Sequence, residues 1–77
     1  MKKIEMIADH LPDGSIRPIR FKIIEDGENI VIKIGRLIHE NKFKDKNEYK
    51  CEVVINEIKR IVILEFYKES TTWYFKD

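Results

Sequence analysis

A single cysteine, Cys51, stands in the 77-residue sequence. One thiol excludes an internal disulfide and a cysteine-based zinc site. An excess of charge of one sign is also missing, since fifteen basic side chains face fourteen acidic ones for a net charge of +1. Non-specific nucleic-acid binding usually rests on a clear basic excess, so its plainest signal is absent. No apolar run approaches the roughly 20 residues that span a bilayer. Met1-Lys2-Lys3-Ile4 begins basic but meets Glu5 and Asp9 before a signal-like apolar core can form. The expectation is a cytoplasmic protein with no membrane association. Three scattered glycines cannot compose a phosphate loop, a nucleophile elbow or a dinucleotide fingerprint. Ala8 is the only alanine, whereas isoleucine is abundant. Alanine is the best helix former and isoleucine's branched Cβ suits a pleated sheet, so the composition leans toward strand. Codon bias in an AT-rich genome would also enrich Ile, Lys and Asn, which leaves periodicity to decide.

A chain of this length makes one domain, residues 1–77, and buries only about 60% of the surface it exposes when unfolded. By the usual per-residue range such a fold is worth roughly 4–11 kcal/mol. Shallow surfaces are therefore more natural functional features than a deep catalytic cleft.

What is present is alternation. Ile4, Met6 and Ala8 oppose Lys3, Glu5 and Ile7 over residues 2–10, the period of a half-buried strand. Pro12, Asp13 and Gly14 form the strongest turn signal. Pro18 is expected to open the second strand, with Ile19, Phe21 and Ile23 on one face and Arg20, Lys22 and Ile24 on the other. Asp26-Gly27 is a hairpin signal, followed by Ile30, Ile32 and Ile34 in alternation. Gly35 before Arg36-Leu37-Ile38 predicts a bulge that lets one long strand serve two sides of a barrel. Residues 41–47 read as a polar loop with Phe43 the exception. Tyr49, Cys51, Val53 and Ile55 form the fourth alternating set, and Asn56-Glu57 a tight turn. The near-continuous apolar run within 58–67 predicts a central strand buried on both sides. A turn over 69–72 leads to a short closing strand, Trp73-Tyr74-Phe75. Helical stripes through Ile34, Leu37, Ile38 and Asn41 and through Val54, Ile58, Ile61 and Glu65 compete with this reading, but the first contains Gly35 and the second is rich in β-branched residues. The expected architecture is all-β: an antiparallel meander curled into a small SH3-like barrel of five or six strands, with Trp73 as a core plug.

The run from Pro12-Asp13-Gly14 through Pro18 to Phe21, the long third strand, the mid-chain Cys51 and the late Trp73-Tyr74-Phe75 resemble a group of short, uncharacterised bacterial all-β proteins, a domain of unknown function. The resemblance covers nearly the whole chain and its motifs are structural. It implies a small β fold in a bacterial cytosolic setting and transfers no activity or site.

Candidate chemistry is sparse. Cys51 with His10 or His39 as base would make a nucleophile, but Cys51 shares the apolar face of Tyr49, Val53 and Ile55. Asp9, His10 and His39 lack metal-ligand spacing, because neighbours on a strand point to opposite faces. No cofactor or metal is expected. Glu65, between Leu64 and Phe66, would demand a basic partner if buried; the preferred reading places it at the solvent-facing end of its strand. The one spatially argued surface is basic: Arg17, Arg20, Lys22, Lys33 and Arg36 on the outer faces of neighbouring strands, with Tyr67 or Tyr74 as a stacking platform for single-stranded nucleic acid. The bland alternative is that these cations solubilise the sheet and blunt its edges. The sequence thus predicts a non-catalytic binding module, holding a protein or single-stranded nucleic acid on this face or at a sheet edge. Second stands an accessory protein that self-associates through strand addition or through Ile7, Ile24 and Val54, as a monomer or weak homo-oligomer. An enzyme comes last.

Overall fold

The computed structural model describes residues 2–76, the side chain of Glu25 excepted. Six antiparallel strands follow one another as β1 (Lys2–His10), β2 (Ile16–Glu25), β3 (Glu28–Lys42), β4 (Lys46–Ile55), β5 (Ile58–Tyr67) and β6 (Thr72–Phe75). Each pairs with the next, and β6 returns to β1 through Lys2↔Phe75, Lys3↔Tyr74 and Ile4↔Trp73, closing a barrel. The fold is the expected small SH3-like barrel, at its six-strand limit. Both competing helical stripes are strand, and among the described residues no helix is long and apolar enough to cross a membrane.

Tight turns set the meander. Gly14 takes φ +88°, and Asp13 accepts hydrogen bonds from the Ser15 amide (2.9 Å) and hydroxyl (2.6 Å), which hold its carboxyl below the usual range. Asp26 and Gly27 both have positive φ, as do Asn56 and Glu57, the backbone of the type I′ turns whose twist matches their flanking strands.

Gly35 does what its position predicts. The β3–β4 register skips between Ile34 and Arg36, so β3 bends there, giving Arg20–Glu25 of β2 its first half and β4 its second. A second skip between Leu37 and His39 deepens the bend. The alternating faces then converge on one core of Ile4, Phe21, Ile32, Tyr49, Cys51, Val53, Val62, Leu64, Phe66 and Trp73. Trp73 is buried, with Phe66 and Tyr49 ring centroids 4.9 and 5.4 Å away.

Three expectations need correction. Pro18 does not open β2, which starts at Ile16; the β1–β2 register skips there, from Ile7↔Arg20 to Ala8↔Pro18. A bulge accommodates a residue with no N–H, so proline can sit inside the strand. Residues 41–47 are not one loop, because β3 runs to Lys42 and β4 begins at Lys46. Their polarity reflects an exposed ladder and the barrel's end. The run within 58–67 is buried on both sides only in its second half, where Leu64, Glu65 and Phe66 are buried in succession, whereas Ile58, Lys59, Arg60 and Ile61 are all exposed. There β5 pairs only with β4, since β6 begins pairing at Leu64, and the β4–β5 hairpin extends as a two-sided ribbon.

Candidate functional site on the outer face of the first three strands

Register decides which outward side chains meet. On the β1–β2–β3 sheet one row reads Ile7, Arg20, Lys33 and the next reads Glu5, Lys22, Val31. Ile24 lies one step further along β2, opposite Asn29. Arg20 and Lys33 are therefore direct cross-strand neighbours, two like charges that repel when no anion lies between them. Among the described residues neither has an ion-pair partner.

Around these cations the surface is aliphatic. Ile7, Ile24 and Val31 keep 52%, 64% and 60% of their surface in solvent. Covering the surface they still expose is worth about 1–2 kcal/mol each. A pocket of about 190 Å³ opens among Glu5, Ile7, Arg20, Lys22 and Val31, with Met6 and Phe21 also in its lining. The arrangement sets Arg20 and Lys22 along the central strand, Lys33 beside Arg20, and the apolar Ile7 and Val31 on the flanking strands. It suits a ligand that is itself apolar and anionic by turns.

The other predicted residues fall elsewhere. Arg17 is bound to Asp9 (2.7 Å), and Arg36 lies 3.7 Å from Glu52 beyond the Gly35 bulge. Lys22 stays on the face but stands 3.3 Å from Glu5. Tyr67 and Tyr74 pack edge to face on β5 and β6 (5.5 Å, 87°), separated from β2 by β1. They border an open depression of about 780 Å³ that also includes Asp45 and Glu69. Two carboxylates there would repel a phosphate backbone.

Cys51 is wholly buried, and burial pushes its thiol up to about 11. His10 and His39 lie exposed, His39 hydrogen-bonded with Asn41 (2.9 Å), so the three do not gather. Asp9 is occupied by Arg17.

Glu65 reverses the preferred expectation. It points away from the core by alternation with Leu64 and Phe66, yet only 1% of it is exposed. Lys46 closes over it with Nζ 2.6 Å from Oε2, and reaches Glu48 at 3.5 Å. Lys76 approaches Glu48 at 3.1 Å. Lys46 also stands 5.7 Å from the Phe43 and Tyr67 rings. Its hydrogen bond to Glu65 holds the ammonium above its ordinary range, and Lys76 holds the Glu48 carboxyl below its own. Lys46 and Glu65 are nineteen residues apart, so no local motif announces them. A charged residue inside an apolar triplet was the one available signal.

Sequence reasoning also missed the polar residues at one barrel end, Glu40 and Asn47, the second of which falls in the stretch read as loop. Asn47 points inward and is 93% buried, with 7% of its surface exposed. Its amide donates to the Tyr49 hydroxyl (3.1 Å), and burial foremost pushes that phenol up to about 12. In comparison with known proteins, the chain matches no family model, no curated protein and no solved structure.

Proposed function

We propose that the protein is a small non-catalytic binding module that holds an acidic, partly apolar segment of a partner protein across the outer face of β1, β2 and β3. One observation carries the reading: Arg20 and Lys33 face each other without an ion-pair partner among the described residues, amid the exposed Ile7, Ile24 and Val31. A carboxylate between the two cations would relieve their repulsion, and aliphatic groups on the partner would cover the isoleucines. A protein segment fits better than nucleic acid for two reasons. Arg17, Lys22 and Arg36 already have acidic neighbours, and the tyrosines that would stack bases lie beside Asp45 and Glu69.

Fluorescence anisotropy with a labelled peptide alternating Glu and Leu, run beside oligo-dT of equal length, tests the reading. The peptide is expected to bind with an affinity that falls as salt rises, and R20E/K33E is expected to lose it. Preferential binding of oligo-dT, or equal peptide binding by the double variant, would overturn the assignment.

A second reading, self-association, is favoured by the β4–β5 ribbon. Closure of the barrel leaves β5 without a partner on its β6 side over Ile58–Ile61, beside exposed Val54, Ile58 and Ile61. An unpaired apolar edge templates strand addition. Sedimentation equilibrium at high micromolar protein would reveal a dimer that Ile58→Lys disperses; a monomer throughout would remove this reading.

A further inference from the structure

The mouth of the barrel beneath the β1–β2 turn is lined by polar groups that the proposed surface does not use. Ser15, Glu40, Lys42, Asn47, Phe66 and Lys68 border a pocket of about 220 Å³. Glu40 lies opposite Tyr49 in the β3–β4 ladder, and Lys42 opposite Asn47. Asn47 Nδ2 donates to the Tyr49 hydroxyl, and Glu40 sits across the ladder from that tyrosine. Two buried acceptors at this end of the barrel are left over: Asn47 Oδ1 and Glu40 Oε2 have no hydrogen-bond partner. A buried acceptor without a donor costs about as much as a lost hydrogen bond, and native proteins seldom leave two on one small site.

The rim has the opposite character. Lys42 and Lys68 stand at its edge, Lys68 with Nζ held 2.8 Å from the Phe43 carbonyl oxygen. A simple cation would meet acceptors below and repulsion above. A simple anion would meet the reverse. The mouths of small barrels are common ligand sites, and a few convergent polar groups set what they take.

We infer that the barrel mouth is a second binding site, taking a compact zwitterion of the amino-carboxylate class. The ammonium end donates to Asn47 Oδ1 and Glu40 Oε2, the carboxylate end lies toward Lys42, and Phe66 walls the short chain between them. The site is independent of the β1–β3 face and shares no residue with it.

Trp73, the only tryptophan, supplies the readout: its ring centroid lies 4.9 Å from that of Phe66 and 5.4 Å from that of Tyr49. Titration with 4-aminobutyrate and with β-alanine is expected to shift Trp73 emission saturably. Butyrate is expected to do nothing, and propylammonium to bind more weakly than 4-aminobutyrate. Glu40→Gln should weaken 4-aminobutyrate at least about tenfold, the loss of one charge-assisted hydrogen bond. Lys42→Met, at the exposed rim, should weaken it without touching the buried groups, and circular dichroism confirms that each variant is folded. No saturable change with either amino-carboxylate would mean that water alone satisfies Asn47 and Glu40, overturning the inference. Binding of butyrate as tight as that of 4-aminobutyrate, or unchanged binding by folded Glu40→Gln, would overturn it as well.

Discussion

The two sides of this barrel handle charge in opposite ways. On the β4–β6 side, Lys46, Glu48, Glu65 and Lys76 neutralise one another through contacts of 2.6 to 3.5 Å, with Glu65 buried and only its Oε1 left without a hydrogen-bond partner. On the β1–β3 side, Arg20 and Lys33 confront each other across a strand pair, with aliphatic side chains standing in solvent around them. Net charge hides the difference, because acids and bases nearly balance along the chain. The lesson is that pairing, more than composition, marks a surface as complete or as open to a partner. Substitutions on the complete side should therefore change stability, and those on the open side binding.

The strongest way to break the contrast is Lys46→Met. Glu65 would be left buried without its partner, and stranding a buried charge costs about 3–5 kcal/mol. At about 4 °C or more per kcal/mol, thermal unfolding should move down by about 12 °C or more. An unchanged midpoint would show that the network contributes nothing. Lys46→Met combined with Glu65→Leu sharpens the point. Replacing a buried ion pair with apolar groups of similar volume is often neutral, so the double variant is expected to recover most of the loss. Failure to recover would assign the effect to the ammonium's contacts with the Phe43 and Tyr67 rings.

Acid acts on the same side. The Glu48 carboxyl sits below its ordinary 4.5 in the folded state, chiefly through Lys76, so its contribution is whole above that value and fades as pH falls through the lowered one. Lys46 sits above its ordinary 10.5, chiefly through its hydrogen bond to Glu65, so its contribution is whole below 10.5 and fades only as pH rises through the raised value. Thermal midpoints measured across pH should decline at both ends, and Lys76→Met should flatten the acid arm specifically.

A smaller gain is expected at the tip of the β4–β5 ribbon. Glu57 holds φ 65°, a conformation that costs an L-residue roughly 1–2 kcal/mol and glycine almost nothing. Glu57→Gly should raise denaturant stability by up to about 1 kcal/mol, since glycine's unfolded-state entropy offsets part of the relief. Least of all, Arg20→Ala and Lys33→Ala should leave the thermal midpoint within about 4 °C, as surface substitutions usually do, while weakening the acidic peptide.

Most of the barrel was legible because strand burial has a period of two. Ile4, Phe21, Ile32, Cys51 and Val53 each fell on the face that alternation assigned, and Gly35 marked its bulge. The misreadings share one cause, that a residue's letter does not state its partner across the ladder. Ile58 and Ile61 look like core but extend past the strands that would cover them. Asn47 looks like loop but closes the barrel's end. Glu65 needs Lys46 from a different strand. Of the predicted basic surface, Arg20, Lys22 and Lys33 meet because the β2–β3 register is set by the Asp26-Gly27 turn. Arg17 and Arg36 were instead drawn to Asp9 and Glu52, acids placed by ladders whose bulges spacing alone does not count.

Amide ¹H–¹⁵N spectra recorded while the Glu/Leu peptide is added test the contrast most directly, because every strand reports at once. Shifts are predicted to concentrate on Ile7, Arg20, Lys22, Val31 and Lys33, with Lys46, Glu65, Tyr67 and Tyr74 unmoved. Shifts centred on the β4–β6 side, or none at all, would contradict the view that the first three strands carry the open surface.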